Sequence, residues 1–130
     1  MGATTFSTIA KGKTVQDAFH QAVEQAQYDH GHAGYTGTIA EKDGFVLSTP
    51  PAGVTAAQWL AWIEAYEPPR TYWQNGREVQ EASARIPDGV PDQHVPALRQ
   101  AGTAYDDKWG PAVAIPWGDQ AWLFCGWASC

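Results

Sequence analysis

Ala-Val-Ala-Ile-Pro-Trp-Gly-Asp-Gln-Ala-Trp-Leu-Phe-Cys-Gly-Trp-Ala, residues 112–128, is the stretch whose reading decides the fold. Gly118-Asp119 separates two apolar runs, Ala112–Trp117 and Gln120–Ala128, which is the signature of a β-hairpin. In the second run Trp122 and Phe124 point to one face, while Leu123, Cys125 and Trp127 point to the other. Such a pattern is expected of a strand covered on both faces; the alternative is that Trp122 or Trp127 is exposed. Helices packed on the sheet are expected from the rest of the chain.

Working outward, three helices are readable. Thr14 and Asp17 form a capping-box pattern ahead of Val15, Ala18, Phe19, Ala22, Val23 and Ala26, which share one face, and Gly31 is the stop. Thr55 and Gln58 repeat the capping logic, with Val54 placed to staple against Trp59. The helix that follows buries Trp59, Trp62, Ile63 and Tyr66 and ends at Pro68-Pro69. Pro96 suits a first helical position, and Leu98, Ala101, Tyr105 and Trp109 recur at helical spacing until Gly110-Pro111.

Strands fill the remaining segments. Ala3–Ala10 is rich in β-branched residues and reads as a first strand. Tyr35–Glu41 and Phe45–Thr49 read as a hairpin through Lys42-Asp43-Gly44. Between Arg70 and His94 lie turn signals at Asn75-Gly76 and Ile86-Pro87-Asp88-Gly89, around a polar run open to a short helix. The sum is a single α+β domain, 1–130, in the order β-α-β-β-α-(α)-β-β, with about five mostly antiparallel strands and two to three helices.

The chain has 130 residues and a formal net charge of −6, and its few basic residues are scattered from Lys11 to Lys108 without a run. That argues against a nucleic-acid surface, whose affinity comes from clustered cations, and suits a basic protein partner better. Met1–Lys13 lacks the apolar core of a signal peptide, and the longest apolar run, Ala121–Ala128, is well short of the roughly 20 residues of a membrane helix. The expectation is a cytoplasmic protein without membrane contact.

Sites of chemistry are sparse. The segment His30-Gly31-His32-Ala33-Gly34-Tyr35-Thr36-Gly37 has the glycines and hydroxyls of a phosphate loop, but it leaves a helix C-terminus, where unpaired carbonyls repel anions. His30 and His32 are a thin candidate for a metal pair, since His20 sits about 15 Å away along the helix axis. Cys125 and Cys130 on an extended strand lie about 16 Å apart, too far for a disulfide. Adjacent Asp106 and Asp107 diverge around their helix, and Glu64 and Glu67 suit a solvated helix side better than an acid–base pair. Signature motifs of hydrolases, zinc proteases and nucleotide-binding folds are missing, and no cofactor is expected.

Two segments, His30-Gly31-His32-Ala33-Gly34-Tyr35-Thr36-Gly37-Thr38-Ile39-Ala40-Glu41-Lys42 and Leu123-Phe124-Cys125-Gly126-Trp127-Ala128-Ser129, resemble hallmark stretches of uncharacterised small proteins of bacteriophages and their bacterial, often actinobacterial, hosts. The resemblance implies an accessory gene of a mobile element. It carries no activity and no catalytic residue.

Three functions fit this reading. The leading one is a non-enzymatic binding protein that engages a host protein or a small ligand through an aromatic-rich surface, because seven tryptophans accompany a single methionine. Trp59, Trp62 and Trp109 fall to the core, which leaves Trp73, Trp117, Trp122 and Trp127, with Tyr35 and Thr36, as the binding candidates. The second is a small hydrolase or transferase, metal-dependent in one version, built on the His30–Lys42 loop from residues such as His32, Tyr35, Thr36 and Asp43. The third is a homo-oligomeric virion or assembly component.

Overall fold

A computed structural model describes residues 2–130. The chain is α+β, with a four-stranded mixed sheet, a separate two-stranded ribbon and three α-helices. The sheet consists of β1 (Ala3–Lys11), β2 (Phe45–Leu47), β5 (Ala112–Gly118) and β6 (Ala121–Ser129), in the order β1-β6-β5-β2. Helices α1 (Val15–His30), α2 (Ala56–Ala65) and α3 (Val95–Asp106) cover it, and β3 (Arg70–Gln74) with β4 (Arg77–Ala82) form the ribbon.

The final hairpin is the centre of the fold, with packing on both of its faces. β6 pairs antiparallel with β1 on one side and with β5 on the other. Ala112 and Ala114 of β5 and Phe124 of β6 face α1, where they join Ala18, Phe19 and Ala22. Val113, Ile115, Leu123 and Cys125 face the opposite layer and pack with Trp59 and Ile63 of α2 and Leu98, Ala101 and Tyr105 of α3. The alanines leave room for an aromatic cluster, with Phe19, Phe45 and Phe124 ring centres 5.2 to 6.1 Å apart. Both helix caps form as read: Asp17 N–H donates to Thr14 Oγ1 and Gln58 N–H to Thr55 Oγ1, each at 3.1 Å. Among the described residues no helix is long and apolar enough to cross a membrane.

Three local expectations are corrected. Tyr35–Glu41 is not a strand. Tyr35 and the glycines at 34 and 37 take positive φ, and Thr38 Oγ1 accepts from Ala40 N–H to start a 3-10 turn, Ile39–Glu41. Hydroxyl-to-backbone bonding has overridden β-propensity there. Phe45–Leu47 pairs instead with β5, in parallel, so the sheet is mixed.

The polar run between Arg70 and His94 holds the β3–β4 hairpin in place of a short helix. Asn75 and Gly76 both have positive φ, as a type I′ turn demands, and this turn geometry favours a hairpin over a helix. Finally, α3 ends at Asp106, before Trp109. Asp107 Oδ1 accepts from Trp109 N–H and turns the chain outward, leaving Trp109 65% exposed and not in the core.

Candidate functional site

The His30–Lys42 segment is engaged in holding the backbone. Glu41 reaches back six residues: its Oε1 accepts from Tyr35 N–H at 3.0 Å, and its Oε2 accepts from Thr36 N–H at 3.1 Å and from the Thr36 hydroxyl at 2.8 Å. Burial pushes the Glu41 carboxyl up, but the two bonds from Thr36 and the one from Tyr35 outweigh it and hold the group below its ordinary value. Lys42 is 4% exposed, and its ammonium donates to the carbonyls of Asp107, Lys108 and Gly110. Desolvation pulls its pKa down and the charge of Asp107 pushes it back up. His30 and His32 are both exposed, and the described residues contain no group of three or more His, Cys, Asp or Glu arranged to hold a metal.

This loop yields a pH prediction. A carboxylate with a depressed folded pKa stabilises the native state above its unfolded value, and that stabilisation is lost as pH falls through the folded one. The amide proton resonances of Tyr35 and Thr36 are therefore expected to titrate together with a midpoint below the ordinary glutamate value, and to lose that titration in Glu41→Gln. NMR titration checks it, and a midpoint above the ordinary glutamate value contradicts the bonding described.

The remaining candidates scatter over the surface. Trp122 and Trp127 lie on opposite faces of β6, as read; Trp122 packs toward α1, while Trp127 and Trp117 pack toward α2 and α3. All three are half-buried, as is Thr36, whose hydroxyl is already bonded to Glu41 and Thr38. Tyr35 is exposed. Trp73 stands out at 75% exposure, with Tyr72 beside it at 45%.

Both lie on the ribbon, which forms an arm. Every residue of β3 is exposed, and the register sets Trp73 opposite Glu78 and Tyr72 opposite Val79. The arm pairs with no strand of the main sheet. It is fixed at its root by two backbone bonds between Glu67 and Arg85, at 2.8 and 3.2 Å, and by their side-chain ion pair at 3.7 Å.

A groove of about 690 Å³ lies between the arm's root and the body, within the usual range for small-molecule sites. Its walls come from the end of α2 and the turn beyond it (Glu64, Tyr66, Glu67, Pro68, Pro69), from the arm (Arg70, Ala82, Ser83, Arg85), from the end of α3 (Tyr105, Asp106) and from Trp127 of β6. Tyr66 is 4% exposed, and its hydroxyl is the one buried side-chain polar atom without a partner among the described residues. Its ring lies over Gly102, where a Cβ would overlap it, so glycine at this position lets α2 and α3 close up.

Titration behaviour in and beside the groove is distorted. Burial, then the charges of Glu64, Cys125 and Asp106, push the Tyr105 hydroxyl up to about 12. Burial and Asp107 raise the Asp106 carboxyl, and burial with Glu64 pushes the neighbouring Cys125 thiol up to about 12. Such a thiol stays protonated and is a poor nucleophile. Glu64 and Asp106 border the groove with Tyr105, and Glu64 and Glu67 are exposed, as the solvated helix side read for them implies. The readable signal was the placement of acids in the last turn of two helices, where cations are favoured.

Comparison of the chain with protein-family models, curated proteins and solved structures finds no significant match.

Proposed function

We propose that this chain is a non-enzymatic binding protein that docks a partner protein through the β3–β4 arm, with Trp73 and Tyr72 as anchors. The observation that carries this reading is the 75% exposure of Trp73 on a ribbon that pairs with no strand of the main sheet. Tryptophan and tyrosine are the common energetic centres of interfaces, and a two-stranded ribbon also offers unpaired edge groups for strand addition. The net charge of −6 favours a basic partner surface. The setting, an accessory protein of a phage or other mobile element acting on a bacterial host protein in the cytoplasm, is supported by the resemblance of the His30–Lys42 and Leu123–Ser129 segments. The hydrolase or transferase reading draws less support, because Thr36 and Glu41 are bonded to each other and Lys42 to three backbone carbonyls.

The test is a pull-down from bacterial lysate comparing the unaltered chain with Trp73→Ala and with Tyr72→Ala/Trp73→Ala, read by quantitative mass spectrometry. A protein retained by the parent is expected to fall about tenfold or more in the single variant, since an anchor tryptophan contributes about 2 kcal/mol or more. Equal retention by all three chains defeats the arm as the docking element.

A further inference from the structure

We propose that the arm joins two copies of this chain, β4 against β4, in antiparallel register about Val79. The hydrogen-bonding phase of the hairpin decides which backbone groups are free. A type I′ turn through Asn75-Gly76 closes with Arg77 N–H donating to the Gln74 carbonyl, and bonded pairs alternate with unbonded ones along an antiparallel ladder. Gln74 and Arg77 are therefore bonded to each other, as are Tyr72 and Val79, while the N–H and C=O groups of Glu78 and Gln80 point away from β3. Among the described residues no backbone bond leads from Glu78 or Gln80 to any other segment. Together they form an open edge, ready to take a further strand.

The charges on that edge are self-complementary in one symmetric register. Centring a second β4 on Val79 sets Glu78 opposite the second copy's Gln80, so the free groups of each bond those of the other, and sets Val79 against Val79 across the axis. The same register places Arg77 opposite the second copy's Glu81, once on each side of the axis. Both side chains are exposed, and among the described residues neither has an ion-pair partner in its own chain. Centring on Glu78 instead opposes two glutamates, and centring on Gln80 sets Val79 against Glu81. A slip of one residue throws the bonding groups out of phase. On one face the apolar row Tyr72-Val79 continues into its copy, flanked by the two ion pairs. Thr71 meets Gln80 while Arg70 meets Ala82, so Glu81 is the extra residue of a bulge, and the pairing ends there. The antiparallel arrangement sets the root of one arm beside the tip of the other, which holds the two bodies at opposite ends. Trp73 stays on the outer strand, so this contact is independent of the docking role proposed for it. One short strand from each copy falls well below the ~1,200 Å² of stable complexes, and a weak, concentration-dependent dimer is expected.

The test is light scattering and NMR of the full chain at low ionic strength, from about 10 μM to about 1 mM, a range that reaches weak association. The mass is expected to rise toward a dimer, and the amide resonances of Glu78 and Gln80 to shift with concentration while that of Tyr72, bonded within the hairpin, holds still. Arg77→Glu and Glu81→Arg each oppose like charges at both contacts and are expected to weaken association about tenfold. One makes the chain more acidic and the other less, so general repulsion does not explain a loss in both. An equimolar mixture of the two variants regains both opposite-charge contacts, as does Arg77→Glu/Glu81→Arg in one chain, and each is expected to associate like the parent. Gln80→Pro removes an outward N–H without touching the β3–β4 ladder and should abolish the dimer, whereas Trp73→Ala should leave it unchanged. Four results would overturn the proposal: a monomer throughout, which would leave the edge to a strand of another protein; a dimer that survives Gln80→Pro; charge reversals that fail to rescue each other; or loss of the dimer in Trp73→Ala, which would move the contact to the opposite face of the arm.

Discussion

Lys42→Met is expected to destabilise the protein by about 3 kcal/mol and to lower its melting temperature by about 10 °C. The ammonium has three donors and the structure matches each with a carbonyl, at 3.1 Å to Asp107, 3.3 Å to Lys108 and 3.0 Å to Gly110. All three carbonyls belong to the turn that carries the chain out of α3 and into β5. A buried charge is costly unless its hydrogen-bonding capacity is filled, and here it is filled. Methionine keeps most of the apolar stem and is one atom shorter, so the loss falls mainly on the charged hydrogen bonds rather than on the packing. Each bond to a charged group is worth about 1.5–3 kcal/mol, and water entering the vacated site recovers part of the sum. Urea unfolding at constant m-value checks the figure. A change under about 0.5 kcal/mol would mean that the turn at 107–110 is held by other contacts.

That contact also marks where sequence reading runs out. The caps at Thr14 and Thr55 were legible because donor and acceptor lie three residues apart and no distant partner is needed. The two faces of β6 were legible for a similar reason: alternation is a property of the strand itself. Lys42 and Asp107 are 65 positions apart, and nothing local announces their pairing. The arm escaped for the opposite reason. Arg-Thr-Tyr-Trp-Gln and Arg-Glu-Val-Gln-Glu-Ala bury neither face, so they lack the alternation by which strands are recognised, and only Asn75-Gly76 hinted at them. The groove is a tertiary product. Glu64 and Asp106 come to one place because the missing side chain of Gly102 admits the Tyr66 ring between α2 and α3.

Trp59 and Trp73 are the same residue in opposite circumstances, and alanine at each is expected to give opposite results. Trp59 is fully buried, lies edge-on to Trp62 with ring centres 6.2 Å apart, and donates its indole N–H to Ser48 Oγ at 2.8 Å. Trp59→Ala removes the largest fully buried side chain from the layer between α2 and the sheet, at an expected cost of about 3–5 kcal/mol. For a domain with a total stability of about 5–15 kcal/mol that is enough to leave a large unfolded fraction at physiological temperature. Ser48→Ala tests the polar part alone, since it strands a buried donor and should cost about 1–3 kcal/mol. Trp73→Ala, by contrast, should change stability by no more than about 0.5 kcal/mol, because the residue touches no core. Thermal unfolding of the three variants under one buffer condition separates them. The contrast decides more than stability: a tryptophan that the fold does not need is free to be a docking anchor. If Trp73→Ala proved as damaging as Trp59→Ala, the arm would be part of the core, and the binding function assigned to it would fall with its exposure.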